Sequence, residues 1–398
     1  MQNELLTRNN RIDVADVLRG FAVMGITILH CIEHFNVFYY PEHSAPGTFF
    51  HFTDHAIWDS LFFTFGGKAY AIFALLFGFS FYVQDNNQAK RGKDFRLRFI
   101  WRLVLLFIIG NINGMFFTGE ILVLYSIVGL VMVLTCRLSN KILIPLAVIL
   151  LLQPIECIRL LMEAINPTFE EVERVSGYYF GQVLEVQKSG SFIEMVKANL
   201  WDGQIGSLTW AWEHGRMMQT AALFIFGMLI GRMQLLVYSV KNMKFWGIAL
   251  VVALLGYFPL AGLAPMLPAY IENPAMLFSA NLITTSMSKF FFMLIMVSAL
   301  ILLFYSFPKA ERFLMKLAPY GRMSLTNYLS QSIIGAAIFY GWGLGLYDDM
   351  STTISFIFGI GLFVAQLLFC QWWMKSHKHG PLEYLWKKAT WIGSGRKI

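Results

Sequence analysis

Mostly apolar stretches of about 18 to 25 residues recur along this chain, and that recurrence leaves few folds open. At 1.5 Å rise per helical residue, such a stretch matches a hydrocarbon core of roughly 30 Å. No water is present there to satisfy backbone N–H and C=O groups, so the stretches must be helices. A membrane barrel would instead show alternating strands of about ten residues. The composition agrees: 57% of the 398 residues are hydrophobic and 14% are charged, and the mean hydropathy is +0.57, against about 25% charged in a soluble domain. The sequence therefore predicts an all-α, polytopic transmembrane helix bundle forming one domain over residues 1–398. About ten spans are expected, at 17–40, 57–83, 99–117, 119–136, 142–163, 211–231, 245–264, 283–307, 324–346 and 352–374. The first run, from Gly20 to Tyr40, is too long for a signal h-region and predicts a retained helix. Cys31, Cys136, Cys157 and Cys370 are scattered without a CxxC pair and read as buried helix residues.

Lys and Arg placement predicts the orientation. Putting the N-terminus inside gathers Arg8, Arg11 and Arg19, the loop from Lys90 to Arg102, Arg137, Lys141, Arg232, Lys241, Lys244, the segment from Lys309 to Arg322, and a cluster from Lys375 to Lys397 on one side. Both termini are therefore expected in the cytoplasm, with the chain a multi-pass protein of a bacterial inner membrane. The net charge of +7 then reflects cytoplasmic loops and lipid contacts, not nucleic acid. The other side is acidic and His-rich, with YPEHSAPGTFFHFTDHA at 40–56 and a long outer loop at 164–210 containing Glu170, Glu171, Glu173 and Glu185. In that loop Val172, Val175, Tyr179, Val183 and Val186 predict an amphipathic helix on the membrane surface.

An ionisable group within a membrane helix costs at least about 2.5–3.5 kcal/mol, so it usually faces a cavity or a partner. In the first helix Asp16, Arg19, Thr27, His30 and His34 form one stripe. Asp16 and His34 point the same way, about 27 Å apart at 1.5 Å per residue. A hydrophilic track through the bilayer is expected, ending in His30, Glu33 and His34, a histidine–carboxylate group suited to general-base chemistry. Zinc at His30 and His34 with His51, Asp54 and His55 is a weaker alternative without an HExxH pattern, and no metal is expected. His55 and Asp59 extend the catalytic candidates along the second helix, where Lys68 follows Gly66 and Gly67. Asn113 and Glu120 flank the turn GNINGMFFTGEIL. Glu213, His214 and Arg216 open a later helix, where Arg216 pairs with Glu213 or holds an anion. Asn281, Thr284, Thr285, Ser288 and Lys289 form one further polar stripe, and Ser324, Asn327 and Gln331 another, each read as interhelical glue or as substrate contacts. The basic loop NNQAKRGKDFRLRFIWR is either a topology signal or a dock for a phosphate-rich donor such as acyl-CoA.

Five blocks of sequence carry a resemblance. RIDVADVLRGFAVMGITIL, GKAYAIFALLFGFSF, GEILVLYSIVGL, GRMSLTNYLSQSII and GPLEYLWKKATW, in order from residue 11 to 391, resemble the YeiB-like bacterial membrane proteins, the domain of unknown function 418 family. Through the D-x-L-R-G of its first helix, this family is similar to transmembrane acyltransferases of the heparan-glucosaminide N-acetyltransferase type. The resemblance implies that acyl-CoA (acetyl-CoA) engages near Asp16, Arg19 and the basic cytoplasmic ends. A histidine would then deprotonate a small-molecule or glycan acceptor on the far side, such as a lipid-linked sugar. The chain departs from the acyltransferase motif at His30, where those relatives have Asn. It departs from many YeiB-like members at Asn113 and Glu120, where they have His and Asp. The expected function is a membrane-bound acyltransferase. The alternative is a transporter or exporter of a small anionic solute using Lys68, Arg216 and Lys289. Membrane lipids are expected partners, nucleic acid is not, and a homo-oligomer is compatible with both readings.

Overall fold

The computed structural model describes residues 12–37, 40–166 and 173–393. The expectations attached to Arg8, Arg11, Glu170, Glu171, Val172, Arg396 and Lys397 lie outside the described residues. The described residues are helical throughout, without strands. The first nine helices are α1 (Asp13–His30), α2 (Phe49–Thr64), α3 (Ala69–Ala89), α4 (Arg96–Gly114), α5 (Leu122–Val128), α6 (Leu130–Thr135), α7 (Asn140–Leu151), α8 (Pro154–Ile165) and α9 (Ser176–Ser189). Next come α10 (Phe192–Ala198), α11 (Gln204–Glu213), α12 (Arg216–Arg232), α13 (Val240–Leu263) and α14 (Pro274–Ser306). The chain closes with α15 (Pro308–Leu314), α16 (Ala318–Arg322), α17 (Ser324–Phe339), α18 (Thr352–Trp373) and α19 (Pro381–Thr390).

Six of these stretches are long and apolar enough to cross a membrane, and α7–α8, bent by 52° at its break, makes a seventh if counted as one span. Apolar side chains such as Ile248, Leu255, Phe258, Ile357 and Leu368 face outward on α13 and α18. A water-soluble protein hides such a surface, and lipid accepts it. The chain is thus a multi-pass membrane protein. The expected run at 57–83 falls within one such stretch, Phe49–Ala89, whose helix is interrupted between Thr64 and Ala69 where Gly67 takes φ +73°.

Two glycine crossings set the interior. α3 and α12 run parallel and touch backbone to backbone. A Cβ on Gly78 would overlap the Phe224 carbonyl oxygen, and one on Gly227 would overlap that of Leu75. At the other crossing Gly20 of α1 meets the Leu317 carbonyl, while Gly321 of α16 meets that of Asp16. α1 is the central helix, packed against α3, α16, α17 and α18.

The Asp16 end of the bundle is held by ionic contacts. Asp16 accepts from Arg19 Nη1 at 2.9 Å and Arg322 Nε at 3.1 Å. Arg322 also reaches Asp13 at 3.2 Å, and Arg19 donates to Ser80 at 3.0 Å. In the loop before α4, the hydrogen-bonded Arg96 guanidinium holds the Asp94 carboxyl below the usual carboxylate range, with Arg137 adding to the effect. α19 docks here: Glu383 accepts the Leu325 and Thr326 amides at 2.8 and 3.0 Å, so it caps the start of α17.

If the backbone approach of α3 and α12 fixes the bundle, Gly227→Leu must force those helices apart. The expected cost is about 3 kcal/mol, read as a lower midpoint of thermal aggregation and loss of a monodisperse peak in detergent. Gly262→Leu, at a position with open space around it, is expected to leave both unchanged.

Candidate functional site

At the opposite end from Asp16 the helices part around a cavity of about 1110 Å³. Its walls come from the last turns of α1, the break between α2 and α3, the turn before α5, and the helices α9 and α11. α9, in the segment expected to form an amphipathic helix, lines the cavity with Phe180 and Leu184.

His30, Glu33 and His34 all line this space. The helix widens to a π turn over Cys31–Phe35, which brings Glu33 and His34 round together. Glu33 lies 3.5 Å from His34 Nδ1. His30 contacts Gln331 at 3.3 Å and packs on Phe117, ring centres 4.5 Å apart. The Glu120 carboxylate lines the cavity and is held by the Asn113 amide and the Leu122 backbone N–H. Arg216 and Lys289 line the same space.

Arg216 is positioned by two helix breaks and a side-chain contact. Gln153, between α7 and α8, is left-handed (φ +57°) and donates to the Gly215 carbonyl at 3.0 Å. Gly215 is itself left-handed (φ +66°) and starts α12. Gln219 donates to the Ser286 carbonyl at 3.3 Å and accepts from Tyr70. The Arg216 guanidinium lies 4.1 Å from the Tyr70 ring centre and 5.2 Å from that of Trp210.

Other candidates lie elsewhere. Asp16 and Arg19 are in the ionic cluster at the far end. The stripe joining them to His30 is interrupted at Thr27, whose hydroxyl bonds the Val23 carbonyl and Tyr320, both at 2.9 Å. The expected continuous track is thus closed by internal pairing. Glu213 does not pair with Arg216. It accepts from Val175 N at 2.8 Å and Ser176 Oγ at 2.5 Å, which caps α9. His214 stacks on Trp210, ring centres 4.8 Å apart. Lys68 Nζ donates to the Phe62 and Phe63 carbonyls at 3.0 and 2.6 Å, closing the end of α2. His55 meets His51 edge to face, Asp59 is exposed, and Asp54 caps α18 through Thr353 N at 2.7 Å. Asn327 binds the Tyr320 carbonyl at 3.1 Å, whereas Gln331 reaches His30. Among the described residues, no three His, Cys, Asp or Glu side chains gather as a metal site. Tyr70, Gln153 and Trp210 belong to the site but carry no signal of their own in the sequence. Only the Gln–Pro step at 153–154, inside an apolar run, marked a break.

A family model described as a protein of unknown function (DUF418) matches residues 230–393. The uncharacterized protein YxaH of Bacillus subtilis is 28% identical over 96% of this chain and 95% of its own length. The uncharacterized protein YeiB of Escherichia coli K12 is 29% identical over 96% and 97%. An uncharacterized 39.9 kDa protein from an amylase 3′ region of Bacillus acidopullulyticus is 25% identical over 96% and 94%. No solved structure matches.

The cap role of Glu213 is testable apart from any ligand. Glu213→Ala leaves the first amides of α9 unpaired, so amide exchange over 175–189 is expected to quicken about tenfold. Exchange in α3 and α12 should not change.

Proposed function

The chain belongs to the YeiB-like DUF418 family, and within that frame we propose that it is a membrane-bound acyltransferase whose acceptor sits in the cavity beside His30, Glu33 and His34. The observation that carries this reading is the pairing of a histidine–carboxylate group with a large, partly apolar cavity at one end of the bundle. In this reading the shorter helices complete the six or seven long apolar stretches to ten crossings, with both termini and the Asp16 end in the cytoplasm of a bacterial inner membrane. Arg19, Arg98, Arg102, Arg137, Arg232 and Arg322 gather toward that end. The donor is acyl-CoA, acetyl-CoA in the simplest case, its nucleotide docked at these basic ends and its thioester brought to the cavity by a route other than the stripe closed at Thr27.

In the proposed step His34, oriented by Glu33, removes a proton from an acceptor hydroxyl or amine. The freed oxygen or nitrogen bonds to the thioester carbonyl carbon. The C–S bond breaks, and the CoA sulfur leaves as thiolate and is protonated. A sugar hydroxyl or amine, free or lipid-linked, has the size and chemistry for this cavity.

Export or uptake of a small anionic solute is the second reading. It is favoured by the breaks at Gly67, which lines the cavity, and at Gln153 and Gly215, which set Arg216 into it, since discontinuous helices build solute sites.

For transfer, purified protein in detergent should release CoA thiol from acetyl-CoA when a lipid-linked amino sugar is added. His34→Ala is expected to slow this by about 10²–10⁴-fold, the worth of a positioned base. Absence of acetyl-CoA binding would remove the enzymatic reading. Anion flux into proteoliposomes without acyl donor would establish the second.

A further inference from the structure

Two helices begin in one corner of the cavity. α3 starts at Ala69 and α12 at Arg216, and Ala69, Tyr70 and Arg216 line the space. Because the two helices are parallel and in backbone contact, their positive dipole ends lie side by side and add.

Full charges join them. At Gly67 the backbone passes so close that a Cβ would sit 2.9 Å from Lys289 Cδ and 3.4 Å from Arg216 Nη2. Neither Arg216 nor Lys289 makes an ion pair or hydrogen bond among the described residues. The carboxylates nearby are otherwise engaged: Glu120 by Asn113 and the Leu122 amide, Glu33 beside His34. Lys68, behind Gly67, donates to backbone carbonyls and adds a third positive charge that repels the other two. Glu33 attracts Lys289 only from beyond ion-pair distance, and so much positive charge without a direct ion pair inside a membrane protein is costly unless an anion occupies it.

We propose that the corner formed by the starts of α3 and α12 with Arg216 and Lys289 binds a phosphate group. The guanidinium offers a planar pair of donors, the ammonium a point charge, and the helix ends backbone N–H groups. The cavity is much larger than a phosphate, and its remaining wall includes Ile26, Leu29, Phe62, Phe65, Phe180 and Leu184. That wall fits an apolar portion attached to the phosphate. For its place in a reaction, as the handle that holds the acceptor, the site rests on the acyl-transfer reading. The binding itself uses different residues from the proposed base.

The test uses full-length protein in dodecyl maltoside, which carries no phosphate. Thermal stabilisation and affinity are measured with inorganic phosphate, with dioleoyl phosphatidic acid, and with dioleoylglycerol as the phosphate-free control. The wild type is expected to respond to phosphatidic acid and not to dioleoylglycerol. A response to inorganic phosphate as well would identify a site that also takes the free ion, and a response to phosphatidic acid alone a lipid headgroup site. The double variant R216Q/K289Q should weaken binding about a hundredfold, two charge-assisted contacts being lost. R216K/K289R keeps the charges and should retain most of it, which separates loss of the site from loss of the fold. His34→Ala should bind phosphate as the wild type does even where acyl transfer is absent, so the two ideas fail separately. No response to either phosphate probe, an equal response to dioleoylglycerol, or unchanged affinity in R216Q/K289Q overturns the proposal.

Discussion

The backbone contact between α3 and α12 at Gly78 and Gly227 is the constraint on which the far end of the molecule depends. Lipid gives two apolar helices no hydrophobic reason to associate, so association relies on close packing, which small residues permit. Here the glycines do more than hold the pair together. They fix two parallel helices at a separation that leaves both N-termini at the same depth, at the floor of the cavity. Larger residues would move the starts of the helices apart and disperse the positive field between them. The Gly20–Gly321 crossing does the corresponding work at the Asp16 end, bringing Arg322 within reach of Asp16 and Asp13.

A second regularity concerns carboxylates. Asp54, Glu213 and Glu383 each accept from the first amides of another helix: α18, α9 and α17 respectively. The first amides of a helix lack intrahelical partners, and where water is scarce they need a fixed acceptor. A remote acidic side chain supplies it and also ties two segments together. Many of the polar residues that look functional in a membrane sequence are therefore caps. The residues outside this scheme are the informative ones: His30, Glu33 and His34, and the two cations, Arg216 and Lys289, that line the same cavity.

Fold class and most helix positions were legible in the sequence because hydrophobic length is a direct physical requirement of the bilayer. The breaks were less so. The Gly66–Gly67 step marked one, inside a run that remains a single candidate crossing, whereas the 52° bend inside the 142–163 run was not expected. At the site the sequence brought out His30, Glu33, His34, Glu120 and Arg216, all of which line the cavity. It also grouped with them Asp16, Arg19, Asp59 and Glu213, which do not. Helical periodicity reports which residues share a face, not which neighbour that face meets. Thr27 shows the difference: it lies on the stripe, yet Tyr320, 293 positions away, closes the stripe there. Glu213 and Arg216 share a face by spacing, but Gly215 turns the chain between them, and the carboxylate reaches α9 instead.

Charge balance gives the strongest asymmetry in the molecule. At the Asp16 end Arg19 and Arg322 have carboxylates within 3.2 Å. At the cavity Arg216 and Lys289 have none, although Glu33 and Glu120 line the same space. A design for stability alone would pair those cations with the available acids, since an unpaired charge in a membrane interior is among the costlier features a fold can carry. The chain does the reverse. It binds Glu120 to Asn113, sets Glu33 against a histidine, and leaves the cations facing open volume over two helix starts. Such an arrangement is consistent with a fold whose counter-charge arrives with the ligand, into the same space that His30 and His34 line.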